Sequence, residues 1–141
     1  MRPAGTQSEA SSRAEERATR IFISYSRNDS DWVRELRREG DRSSGLELYS
    51  FPYEEAMGDD WQQTCRHLMQ AADGLVCLVG ATTSQNENIA WELDEATRRG
   101  IPILLAGRGA RAFADRRGDG RIHTLEDSSP DQVVARLREL V

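Results

Sequence analysis

The sequence predicts one α/β domain with a flavodoxin-like fold: a five-stranded parallel sheet with helices on both faces. Three observations carry that prediction. Short runs rich in β-branched and aromatic residues recur five times, and amphipathic helical patterns lie between them. Two of the runs, GLVCLVG from Gly74 and IPILLAG from Ile101, are apolar without alternation, as strands are when helices cover both faces. Strands alternating with helices imply right-handed crossovers and parallel pairing. A chain of 141 residues that is 38% hydrophobic has room for one core, and so for one domain.

Residues 1–19 hold Ser, Ala, Glu and Arg with no large apolar side chain after Met1, too little to offset the entropy of ordering. They read as a disordered tail before a domain at 20–141. Order should begin at Arg20 with RIFISYS, followed by strands at LELYSF from Leu46, at the two apolar runs, and at the weaker RIHTL from Arg121. After the first strand, Asp29 or Ser30 is placed to cap a helix. After the second, Trp61, Cys65, Leu68, Met69 and Ala72 share one helical face behind Asp59 and Asp60, acidic residues that suit a helix N-terminus. The glycine-rich stretch from Arg108 to Gly120 reads as a loop with a short helix around Ala110 to Ala114. The last helix has Ser129 as its cap, Pro130 in its first turn and Gln132 three residues after the cap, and its buried face is Val133, Val134, Leu137 and Leu140.

Composition excludes several functions. A formal charge of -5 argues against binding nucleic acid through phosphate neutralisation. All 19 basic residues are arginine, which removes the P-loop lysine, Schiff-base chemistry and the lysine of a receiver phosphorylation site. Cys65 and Cys77 are too few for a disulfide framework and read as reduced core residues. His67 and His123 read as structural, and no Cys, His or Asp cluster has metal spacing, so no metal is expected. No apolar run is long enough to span a membrane and no signal peptide precedes the domain, so the expectation is a soluble, cytoplasmic protein.

In doubly wound sheets ligands bind outside the carboxyl ends of the strands, where strand order reverses. The segments to inspect are therefore 24–29, 51–60, 80–92 and 107 onward. In the first, FISYSRNDSDWVREL at 22–36 resembles the opening box of TIR domains, a Phe-Ile-Ser-Tyr strand end passing through an acidic turn into a helix. In the third, ADGLVCLVGATTSQNENIAWELDEATRRGIPILL resembles the TIR region from the third strand through the catalytic helix into the fourth. It is most similar to TIR proteins of bacterial Thoeris defence systems, in the positions of Gly80, Thr82, Thr83, Trp91, Glu92, Ala96 and Gly100. Many TIR enzymes carry a second aromatic four residues before the glutamate, or Ser and Cys six and three before it. This chain has Asn88, Asn86 and Ile89 there, and the loop FPYEEAMGDD is acidic where some relatives are basic.

The resemblance implies that Glu92 breaks the nicotinamide–ribose bond of NAD, which is substrate rather than cofactor. It also implies a homo-oligomer through TIR contacts, and an effector protein reached through a cyclic or conjugated ADP-ribose signal. Its substrate-binding set would be Phe22, Ser24, Tyr25, Ser26, Arg27 and Asp29 around the first strand end, Thr82 and Thr83 after the third strand, and Asn88 and Trp91 on the helix. Arg27 is the candidate for the pyrophosphate.

Helix geometry separates the two candidate glutamates without the family. At about 100° per residue, Ile89, Leu93 and Ala96 define the buried face, with Glu92 about 65° from its centre and Glu95 about 125° away. Glu92 then sits at the rim of the core, either catalytic or paired with an arginine, and Glu95 reads as a solvated charge. Trp91 points away from the buried face, to serve as an exposed contact or to pack on a neighbouring element. A receiver domain is rejected for want of the lysine and of an aspartate ending the third strand. SYSRNDSD fits a flavodoxin phosphate loop poorly. A nucleoside deoxyribosyltransferase-like enzyme and a non-catalytic TIR interaction module remain as alternatives.

Overall fold

The computed structural model describes residues 18–43, 45–51, 61–118, 122–126 and 129–141. The expected tail and the acidic loop with Asp59 and Asp60 lie largely or wholly outside them. The strands are β1 (Thr19–Ser24), β2 (Leu46–Tyr49), β3 (Gly74–Leu78), β4 (Ile103–Ala106) and β5 (Ile122–Leu125). The helices are α1 (Ser30–Arg42), α2 (Trp61–Gln70), α3 (Glu87–Arg99), α4 (Ala110–Arg117) and α5 (Pro130–Leu140). All four strand pairs are parallel and the order is β2-β1-β3-β4-β5, the flavodoxin-like arrangement expected from the sequence. Thr19, assigned above to the tail, already belongs to β1.

The two-residue period of a strand sorts the core into two layers. Ile21 and Ile23 of β1 and Val76 and Leu78 of β3 face Val33 and Leu36 of α1 and Val133, Val134 and Leu137 of α5. On the other side, Phe22, Leu75 and Cys77 meet Cys65 and Met69 of α2, Ile89 and Leu93 of α3, and Phe113 of α4. By the same alternation Ser24, last in β1, belongs to the second layer, and in register it stands opposite Cys77. Strand order reverses between β1 and β3, so their carboxyl ends form the crevice of the sheet.

Loop chemistry sets where the helices begin and end. Asn86 caps α3, its side chain accepting from the N–H groups of Asn88 at 2.9 Å and Ile89 at 3.1 Å. Gly100 ends the same helix in the left-handed conformation at φ 73°, which costs a glycine little and leads the chain straight into β4. The expected side-chain caps at Asp29 and Ser129 do not form, although both residues occupy the N-cap position. The Ser30 hydroxyl instead donates to the Arg27 carbonyl at 2.6 Å.

The short helix of the glycine-rich stretch runs to Arg117, beyond Ala114, and starts after Gly109, which has no side chain to cap it. Glu126, just past β5, supplies the cap: its carboxylate accepts from the N–H of Arg111 at 2.7 Å and of Gly109 at 3.1 Å. The Arg111 N–H, then that of Gly109, hold this carboxyl below its usual range. A depressed carboxylate contributes stability above its unfolded pKa that is lost on acidification. Glu126→Ala should therefore lower the thermal midpoint at neutral pH, and the gap from the parent should close as pH falls below about 4; a gap independent of pH would rule out the charge-assisted cap.

Candidate active site

A cleft of about 450 Å³ opens over the β1–β3 crevice, lined by Tyr25, Ser26, Arg27, Asn28, Thr82, Gln85, Asn86 and Asn88. Two loops and the first turn of α3 form it, and hydrogen bonds tie the loops together: Ser26 Oγ lies 2.8 Å from Thr82 Oγ1, and Asn28 Nδ2 donates to the same oxygen at 3.3 Å. Thr83 is buried below. Its Oγ1 accepts from the Gly80 N–H at 2.8 Å and donates to the Leu78 carbonyl at 3.2 Å, which folds the chain back after β3. Gly80 is needed because Asp29 presses on it, and a Cβ there would lie 2.6 Å from Asp29 Oδ2. Burial pushes the Asp29 carboxyl up.

Glu92 lies one helical turn beyond Asn88 on the same side of α3. Because helices of a parallel α/β sheet run back from its carboxyl edge, that turn places the carboxylate below the cleft. It is 1% exposed. Ser24 Oγ donates to Glu92 Oε1 at 2.6 Å, and Cys65 Sγ, from α2, donates to Oε2 at 3.6 Å. Burial, then the neighbouring Glu92 charge, drive both the Cys65 and the Cys77 thiol far above their usual range, so each is a protonated S–H.

The structure brings Tyr25, Ser26, Arg27, Thr82 and Asn88 of the expected set to the cleft. It places Phe22, Ser24, Thr83 and Glu92 beneath it, and Asp29 behind it against Gly80. Phe22 is fully buried and packs edge-on against Tyr49 at 5.7 Å, a core residue rather than a ligand contact. Trp91 meets the Trp61 ring at 5.1 Å, with the Arg66 guanidinium 5.3 Å from its ring centre, so α2 covers it.

Glu95 corrects the helical-wheel reading: it is 4% exposed, not solvated. Arg66 of α2 approaches it at 3.8 Å, Arg99 at 2.9 Å, and Arg98 also pairs with it. A wheel centred on the sheet-facing side omits α2, which lies along α3 and buries the Trp91–Glu95 flank. Sequence reasoning also missed Asn28, Gln85 and Asn86 in the cleft wall and Cys65 as a partner of Glu92. Asn86 carried a signal, a preferred N-cap residue at the start of an apolar periodic run.

The TIR domain family model matches residues 21–137, which is most of the chain. The chain belongs to the TIR domain family. No curated protein matches it. Among the described residues of this TIR domain, no group of three or more His, Cys, Asp or Glu side chains could hold a metal, and no helix is long and apolar enough to cross a membrane.

The protonated thiols make a direct prediction. Neither of the two free cysteines should react with Ellman's reagent in the folded TIR domain near pH 8, and both should react in guanidinium. Raised folded pKa values also give stability that is present below the unfolded thiol value of 9.0 and lost as pH rises beyond it. Urea titrations should therefore show stability falling above pH 9, and a thiol labelled rapidly in the native protein would contradict the assignment.

Proposed function

We propose that this TIR domain cleaves NAD at the nicotinamide–ribose bond, with Glu92 as the catalytic carboxylate and the cleft above it as the substrate site. The observation that carries the reading is the contrast between two buried glutamates on one helix. Glu95 is paired with guanidinium groups, which compensate its charge. Glu92 accepts from the Ser24 hydroxyl and the Cys65 thiol, donors that orient the carboxylate without adding a positive charge of their own.

NAD cleavage asks for little more. Nicotinamide leaves as a neutral molecule from a cationic pyridinium, so no general acid has to protonate it, unlike the leaving group of most glycosides. The ribose develops oxocarbenium character, which a desolvated carboxylate stabilises by charge and by accepting from ribose hydroxyls. Arg27 on the cleft wall is the group for the pyrophosphate, and Asn88, Ser26 and Thr82 offer polar contacts around it. For the reaction the ribose has to enter past Asn88, one helical turn above the held carboxylate. The Thoeris likeness extends the proposal to an ADP-ribose product, cyclised or conjugated, that signals to a separate effector in antiviral defence.

The 1% exposure of Glu92 favours a second reading, a TIR interaction module in which this carboxylate only ties α3 to β1 and α2. Nicotinamide release from NAD by concentrated protein separates the two. The parent should release it, and Glu92→Gln, similar in shape and checked for folding by circular dichroism, should lose at least about 100-fold in rate. Equal rates would remove Glu92 as the catalyst, and silence in the parent, including in extracts of phage-infected cells, would establish the module.

A further inference from the structure

The cysteine on α2 has no place in the cleft, yet it is aimed at the one carboxylate the cleft depends on. Cys65 is fully buried, one turn beyond Trp61 on α2, and its thiol reaches Glu92 Oε2 while the Ser24 hydroxyl reaches Oε1. Each carboxylate oxygen thus has its own donor, from a different element. The 2.6 Å Ser24 contact is in the range of hydroxyl bonds to an ionised carboxylate. We propose that Ser24 and Cys65 are positioning residues that clamp the Glu92 carboxylate, one donor on each oxygen, and hold it ionised in a single rotamer beneath the cleft.

The reason is physical. A carboxylate taken out of water is disfavoured unless hydrogen bonds replace those it had in water, and bonds to the ionised form favour that form. An arginine in the same place would supply the bonds but cancel the charge. A hydroxyl and a thiol supply bonds and add no charge of their own. The thiol is fit for this because it stays protonated: the same burial that makes it inert as a nucleophile keeps it a donor. Among the described residues, the titratable and charged groups acting on the cluster include Tyr49 from β2, Cys77 from β3, Asp29 from the turn after β1, Arg99 from the end of α3 and Arg117 from α4.

The proposal rests on the catalytic reading of Glu92 for its activity, and its test has an arm that needs no activity. The side-chain carboxyl carbon of Glu92 is followed by NMR in protein labelled with ¹³C-glutamate, its resonance assigned by its loss in Glu92→Gln. Ser24→Ala should move the Glu92 titration upward by about one pH unit or more. Cys65→Ala should move it in the same direction by less, since a thiol is the weaker donor, and Cys65→Ser should leave it at or below the parent value. In nicotinamide release the acid limb of the pH profile should move with the carboxylate, about tenfold in rate per unit on that limb. Titrations that respond in a protein that releases no nicotinamide would sink the NAD reading and leave the clamp standing. Folded Ser24→Ala and Cys65→Ala proteins with the parent's titration would overturn the clamp whatever the activity. Should Ser24→Ala not fold, Ser24→Thr, which keeps the hydroxyl, and Cys65→Ala decide the matter.

Discussion

The carboxylate of Glu92, buried between the β1–β3 seam and two helices, is the constraint around which this end of the molecule is built. An ionised group removed from water costs several kcal/mol unless its oxygens are hydrogen-bonded. The donors have to come from whatever packs against it. Ser24 can donate because it is the last residue of β1 and falls on the inner face of the strand, in register with Cys77. Cys65 can donate because α2 lies along α3 at the height that brings its second turn to Glu92. One side chain thus ties β1 and α2 to α3 at the point where strand order reverses.

Helix α3 carries two buried glutamates with opposite electrostatic fates. Glu95 faces α2 and the last turn of its own helix, where Arg66, Arg98 and Arg99 surround it. That network is stabilising only in the sense that removing one partner would strand a charge. It also holds α2 against α3, beside the Trp61–Trp91 contact and the Arg66 guanidinium over Trp91. The position of Cys65, and with it the second donor to Glu92, depends on that packing.

Above the carboxylate the cleft is polar and formed by loops, below it the core is apolar and formed by strands, and the boundary is sharp. Ser26, Thr82 and Asn28 join the two loops directly, while Thr83 and Gly80 fold the second loop back so that the Asp29 carboxylate can lie against it. Of the residues that lead from β1 into α1, only some line the cleft: Tyr25, Ser26, Arg27 and Asn28 do, whereas Ser24 bonds to Glu92 and Asp29 lies against Gly80.

Much of this was legible in the sequence, because strand alternation, helical periodicity and the glycines at element ends are local patterns. They predicted five parallel strands and put Glu92 nearer the core than Glu95, while the resemblance of the FISYS and WELDEA segments pointed to a domain of the TIR kind and to Glu92 as the candidate. What only the tertiary structure decided was what lies on the third side of each helix. A helical wheel knows the sheet but not the neighbouring helix, so it left Glu95 open to solvent and could not choose between contact and packing for Trp91, and it could not say that the Cys65 thiol, 27 residues from Glu92 in the chain, would be its partner. Periodicity records which face an element buries, and only packing between elements records what that face meets.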